Sequence, residues 1–190
     1  VFAITEKGIG HKGISCFLID KKLKGLKVGK PEDKLGIRSS DTTELYFDNV
    51  QVPESHLISK EGNGFKVALS TLDGGRIGIA AQALGIAQAS LDNSISYSKE
   101  RKQFGKAIID FQAVQLQLAE MKMKLDASRL LIYRAVVNAD KSLPSIGESS
   151  IAKCFANEIT REVTGKAMQL MGGYGYSKEF PIEQKMRDAW

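Results

Sequence analysis

The chain has 190 residues, 43% of them hydrophobic and 26% charged, ordinary globular values that leave room for one full domain or two small ones. Its 27 Lys and Arg outnumber its 22 Asp and Glu for a net charge of +5; the basic residues are scattered among acids, which argues against nucleic acid as a partner and fits a phosphate-bearing small ligand. No apolar run is long enough to cross a bilayer, so stable membrane insertion is not expected.

Residues 1–53 read as β structure. Val1-Phe2-Ala3-Ile4 looks like the middle of a strand, and with no initiator Met a targeting segment upstream fits the sequence. Residues 14–20 form an apolar run, and residues 23–28 follow after a turn of lysines. Residues 43–48 alternate, and the β-compatible stretch continues to Val52 before Pro53 stops it. Glycines at 8, 10, 13, 25, 29 and 36 punctuate these runs. About four strands result, enough to close a small antiparallel barrel only with strands from elsewhere.

From Gly64 the period becomes helical. Phe65, Ala68, Leu69 and Leu72 recur at three- and four-residue steps, and the pattern continues through Ile79, Ala83, Ile86, Ala87 and Leu91 to about Tyr97. Gly74, Gly75, Gly78 and Gly85 weaken this helix and predict close approach by a neighbouring helix or a ligand. A second helix opens after Asp110, read as its N-cap, and runs to about Asn138; Met121 and Met123 read as its core packing. Ser145 and Glu148 form a capping box that starts a third helix, which Gly172-Gly173 stops. Pro181 suits the first turn of a fourth. Long helices with short connections imply an antiparallel bundle. The fold class expected is therefore multi-domain α and β: part of a small antiparallel β-barrel domain (1–58), then an antiparallel four-helix bundle (59–190) whose last helix is cut short. Both ends of the sequence look incomplete. Cys16 and Cys154 lack metal-ligand spacing with each other or with His11 and His56, so no metal is expected and both thiols read as small buried groups.

Two segments stand where one long helix ends and another begins. One is Glu100-Arg101-Lys102-Gln103-Phe104-Gly105-Lys106, with Phe111-Gln112 just after it; the other is Gln169-Leu170-Met171-Gly172-Gly173-Tyr174-Gly175-Tyr176. With Lys34-Leu35-Gly36-Ile37-Arg38-Ser39-Ser40, Phe47-Asp48-Asn49-Val50, Gly62-Asn63-Gly64-Phe65 and Met186-Arg187-Asp188 in this order, the chain resembles the acyl-CoA dehydrogenase family over its whole length. The short-chain and short/branched-chain members are the nearest in look.

That resemblance implies a chain about twice as long, FAD as cofactor, and commonly a homotetramer. It implies that Arg101 reaches the FAD pyrophosphate across a subunit boundary, which suits a guanidinium that stays charged and binds phosphate oxygens in pairs; a solvated arginine at a helix end is the plain alternative. Phe104 would pack on the cofactor and Gln112 would hydrogen-bond it. Gln169, Leu170, Met171, Gly172 and Gly173 would lie along its adenosine and pyrophosphate, the glycines exposing backbone N–H groups; a simple helix C-cap is the alternative. Phe65, Asp73 and Arg76 match positions that contact the CoA thioester, against the plain reading of Asp73 and Arg76 as a surface ion pair.

The family removes a substrate α-proton with a glutamate while hydride leaves for the flavin. In most members that glutamate lies just past the point where this sequence stops. In isovaleryl-type members it lies in the first long helix, where the matching residue here is Gly75. Glu179 and Glu183 match non-catalytic positions, and Trp190 stands where a basic residue is usual. The catalytic residue is therefore not assigned within this chain. The function implied is FAD-dependent α,β-dehydrogenation of a short or branched acyl-CoA, with electrons passed to an electron-transferring flavoprotein. Alternatives are an acyl-CoA oxidase, a cyclic acyl-CoA dehydrogenase, or a non-catalytic CoA- or flavin-binding scaffold. The compartment implied is the mitochondrial matrix in a eukaryote or the cytoplasm in a bacterium.

Overall fold

The computed structural model describes residues 1–139 and 144–190. The chain divides into two compact units, Val1–Lys34 with Arg38–Leu72, and Leu35–Ile37 with Asp73–Trp190.

The first unit is built on two small antiparallel sheets. β1 (Phe2–Ile4), β2 (Ile14–Phe17) and β5 (Leu57–Ile58) pair in the order β1-β2-β5, with Phe2 opposite Cys16 and Phe17 opposite Leu57. β3 (Leu26–Val28) pairs with β4 (Leu45–Phe47), Lys27 opposite Tyr46. The strands are shorter than their apolar runs. β5 was not anticipated, because two residues carry no alternation to read. Ser15 is fully buried, and its hydroxyl bonds Thr5 at 2.8 Å and accepts the Gly62 N–H at 2.9 Å. Leu45, Tyr46 and Phe47 are all exposed.

The second unit is a helical bundle. α1 spans Gly64–Glu100, its residues up to Leu72 belonging to the first unit; α2 is Gln112–Val137, α3 Ile146–Met171 and α4 Ile182–Asp188. Ala80 shares a core with Ile132, Ala135, Ala152 and Ala156, while Ala87 and Leu91 pack with Leu118, Met121, Leu125, Ile159, Val163 and Ala167. Residue numbers rise along α1 and α3 as they fall along α2, so consecutive helices are antiparallel, as the short connections imply, and α1 and α3 run parallel to each other. Alanine at these contacts lets backbones approach, and the Thr160 hydroxyl donates across the seam to the Ala83 carbonyl at 2.9 Å. Ile182 of α4 completes the core. Beside it Asp188 accepts the Ile37 N–H at 2.7 Å, and Arg187 donates to the Leu35 carbonyl at 2.8 Å.

Helix ends follow the sequence in one case and depart from it in another. Ser145 caps α3, accepting the Glu148 N–H at 3.2 Å. Asp110 does not cap α2: it closes a 3-10 turn over Ile108–Asp110, and Phe111 takes the N-cap position with no side-chain bond. Met121 is fully buried, whereas Met123, two residues and so about 200° further round the helix, is exposed. It belongs to a second apolar row on α2, Leu116, Met123, Leu130 and Val137, all exposed and spaced by seven residues. Cys16 is buried as expected, but Cys154 is exposed. Gly75, Gly78 and Gly85 face open space rather than a close neighbour.

Candidate functional site

α1 ends at Glu100, and the chain turns at once into a hairpin of β6 (Lys102–Gln103) and β7 (Lys106–Ala107). Phe104 and Gly105 form its two-residue tip with φ of 51° and 83°, as a tip with two left-handed residues requires. Glycine takes this shape freely; a phenylalanine there carries a penalty of about 1–2 kcal/mol. The Phe104 side chain is 92% exposed, its ring edge-on to Phe111 at 6.2 Å. A bulky apolar group is thus held out in solvent at a backbone cost.

Arg101 stands at the root of the hairpin. Its N–H donates to the Tyr97 carbonyl at 2.8 Å, and its carbonyl accepts the Ile108 N–H at 2.8 Å. The backbone is therefore fixed on both sides. The side chain is half-buried and has no carboxylate within ion-pair distance among the described residues. Its guanidinium lies over the Tyr174 ring, 5.6 Å from the centroid, within cation–π range.

Tyr174 comes from the far end of α3. Gly172 ends that helix at φ 58°, its N–H donating to the Gln169 carbonyl, and the chain continues as a 3-10 turn, Gly172–Tyr176. Gly175 is buried in this turn, and a Cβ there would lie 2.4 Å from the Met168 carbonyl oxygen. Only glycine lets the turn fold back onto α3. The Tyr97 hydroxyl donates to the Met171 carbonyl at 3.4 Å, joining the two segments directly.

Between them opens a cleft of about 610 Å³. Five residues nominated from sequence line it: Arg101, Leu170, Met171, Gly172 and Gly173. So do Tyr97, Gln103, Tyr174, Ser177 and Glu179, which were not nominated. Their only signal was position, an aromatic one turn before Arg101 and another between the glycines. Phe104, Gln112 and Gln169 do not line the cleft: Phe104 is the hairpin tip, Gln112 the exposed first residue of α2, and Gln169 exposed on the last turn of α3. Chemically, the cleft offers one unpaired guanidinium beside an open glycine ledge, since nothing lies within 4 Å of a Cβ at Gly172 or Gly173. This set fits a phosphate-bearing ligand such as FAD.

The residues nominated for the thioester fall in both units. Phe65 is in the first unit, its ring 5.2 Å from that of His11. Asp73 and Arg76 are in the second, ion-paired to each other on α1 and largely buried. Arg76 therefore already has an acid partner. Gly75 is exposed beside them. A smaller cavity, about 250 Å³, lies among Ile79, Ala83, Ile86, Asn157 and Trp190 and contains none of the nominated residues.

Away from the cleft, Glu120, Lys124, Glu162 and Lys166 close a ring of alternating charge between α2 and α3, with N···O distances of 2.8, 2.5, 2.7 and 2.6 Å. Hydrogen bonds from Lys124 and Lys166 pull the Glu120 carboxyl down to about 2 and lower that of Glu162. Both lysines are raised in return by their bonds to the two glutamates.

Comparison with known proteins reads the same pattern. The model of the acyl-CoA dehydrogenase middle domain matches residues 1–50, and that of the acyl-CoA dehydrogenase C-terminal domain matches residues 62–190. The chain belongs to the acyl-CoA dehydrogenase family. Members of this family are FAD-dependent oxidoreductases. The chain is 48% identical over 189 residues to the mitochondrial short/branched chain specific acyl-CoA dehydrogenase of Bos taurus, covering 100% of this chain and 44% of that one. The butyryl-CoA dehydrogenase structure from Megasphaera elsdenii superposes with a TM-score of 0.96 at 47% identity, covering 99% of this chain and 49% of that one. A chain of the structure described as the electron transferring flavoprotein of Acidaminococcus fermentans superposes with a TM-score of 0.96 at 49% identity, covering 100% and 50%. The chain thus spans about half the length of the curated relatives it matches. Among the described residues no helix is long and apolar enough to cross a membrane.

Proposed function

We propose that the protein catalyses FAD-dependent α,β-dehydrogenation of a short or branched acyl-CoA and passes the electrons to an electron-transferring flavoprotein. The observation that carries this is the unpaired guanidinium of Arg101 facing the Gly172-Gly173 ledge across one cleft. The names of the relatives, short/branched chain specific and butyryl-CoA dehydrogenase, support the substrate class. The likeness to a chain described with electron transferring flavoprotein supports the electron acceptor.

In this reading Arg101 binds the pyrophosphate of FAD across a subunit boundary through paired N–H donors, and Gln169, Leu170, Met171, Gly172 and Gly173 lie along its adenosine and pyrophosphate. Phe104 at the hairpin tip packs on the same cofactor and Gln112 hydrogen-bonds it, within a homotetramer. FAD, when bound, supplies the acceptor for the hydride leaving the acyl β-carbon. Phe65, Asp73 and Arg76 hold the CoA thioester, Arg76 kept in place by Asp73. Residues 1–58 serve as part of a middle β domain and 59–190 as the C-terminal helical domain. No residue of the chain is assigned as the base that takes the α-proton, and Gly75 has no side chain to take it. The compartment is the mitochondrial matrix if the source is eukaryotic and the cytoplasm if bacterial.

The test is an anaerobic titration of the purified full-length protein with butyryl-CoA, branched and cyclic acyl-CoAs. Bleaching of the flavin band by a short or branched thioester supports the proposal. Reduction only by a cyclic thioester replaces the substrate class. Rapid reoxidation by oxygen would make the enzyme an oxidase. A full-length protein that binds no flavin sinks the assignment of the cleft.

A further inference from the structure

Among the described residues, the Tyr174 ring meets two other rings and one cation. The Tyr97 ring meets it edge-on at 6.4 Å, the Phe180 ring lies tilted at 5.0 Å, and the Arg101 guanidinium sits over its face at 5.6 Å. Two aromatic contacts thus brace the ring while the cation lies over it. Aromatic rings prefer these edge and offset geometries and attract cations over their faces. The backbone adds to the rigidity, because Gly175 leaves the turn no room to shift towards α3 and Ser177 N–H closes it onto the Tyr174 carbonyl at 3.2 Å.

A free arginine side chain loses rotamer entropy when a ligand immobilises it. Among the described residues Arg101 has no acid to hold it, and an acid would compete with a phosphate for its donors. A ring holds a guanidinium by its flat face and leaves the in-plane N–H donors free for an anion. We propose that Tyr174 is a positioning residue for Arg101: braced by Tyr97 and Phe180, it pre-orients the guanidinium in the cleft, so that phosphate binds to a cation already in place. This rests on the reading of the cleft as the site for the FAD pyrophosphate.

The test is a flavin-binding cycle on full-length apo-protein reconstituted with FAD, using Tyr174→Leu, Tyr174→Phe, Arg101→Leu and the double variant Tyr174→Leu/Arg101→Leu, with melting temperature recorded in parallel. Tyr174→Leu is expected to weaken FAD binding about three- to tenfold, and Tyr174→Phe, which keeps the ring, to restore it to within about twofold. In the Arg101→Leu background Tyr174→Leu is expected to add nothing. An equal loss from Tyr174→Leu with and without Arg101, or no loss at all beside a large loss for Arg101→Leu, overturns the positioning role alone. No loss for Arg101→Leu overturns the cleft assignment and the positioning role with it. If Tyr174→Leu does not fold, the Phe180→Leu variant removes one brace and leaves the cation–π pair, and is expected to weaken FAD binding about two- to threefold with Arg101 present and not without it; equal losses in both backgrounds overturn the role.

Discussion

Gly175→Ala is a one-carbon change whose cost the geometry sets. The added Cβ would lie 2.4 Å from the Met168 carbonyl oxygen and 3.1 Å from the Met168 Cα, and both atoms are backbone, so no side chain can swing aside. An acceptable carbon–oxygen contact is at least about 3.3 Å, which requires a shift of about 0.9 Å between the Gly172–Tyr176 turn and the last turn of α3. Overpacking of that size costs about 1–3 kcal/mol, and in a chain of this size lowers the melting temperature by roughly 3–10 °C. The same substitution at Gly165 is the internal control: it lies within α3 with nothing within 4 Å of its Cβ, so alanine there gains about 0.5–1 kcal/mol of helix propensity. Thermal unfolding followed by circular dichroism reads both. The two variants should move in opposite directions, and Gly175→Ala should also lower flavin occupancy because the displaced turn carries Tyr174. A melting temperature unchanged or raised by Gly175→Ala would refute the packing argument.

Leu125→Ala should cost about 2–5 kcal/mol in denaturant titration, since Leu125 is fully buried between α1 and α3; Leu125→Met should cost under about 1.5 kcal/mol. Phe104→Asn should stabilise the hairpin by up to about 1 kcal/mol, because asparagine tolerates the left-handed tip, yet weaken flavin binding, a split that differential scanning calorimetry and flavin titration separate. The charge ring has a worked pH window. Glu120 and Glu162 titrate below their ordinary values in the fold, so their contribution is present above about pH 4.5 and is lost as pH falls towards 2. Lys124 and Lys166 titrate above theirs, so their contribution holds below the usual lysine range and fades as pH rises through it. Melting curves of the parent and Lys166→Met should differ at pH 7, converge at pH 2, and draw together in molar salt.

The sequence announced the bundle because each long helix has a 3.6-residue period and recognisable ends, as at Ser145 and Gly172. It misled where chemistry and position part. Asp110 has the right side chain for a cap but sits one residue too early, inside a 3-10 turn. Met123 is apolar yet exposed, because α2 carries apolar rows on two opposite sides and periodicity alone does not say which one faces the core. In the cleft, Arg101 and the glycine ledge were visible as motifs. Tyr97 and Tyr174 were not, since contacts across more than seventy residues, Tyr97 to the Met171 carbonyl and Tyr174 to Arg101, leave no local pattern.

The Tyr97 bond to the Met171 carbonyl has a consequence for how the protein breathes. Tyr97 holds Arg101 through its backbone and the glycine turn through its hydroxyl, so the last turn of α1 cannot fray without letting go of the end of α3. Two loops separated by seventy residues of sequence thereby form one opening unit. The amides of Arg101, Ile108 and Ser177 should exchange with solvent at a common rate, and a ligand spanning the cleft should slow all three together.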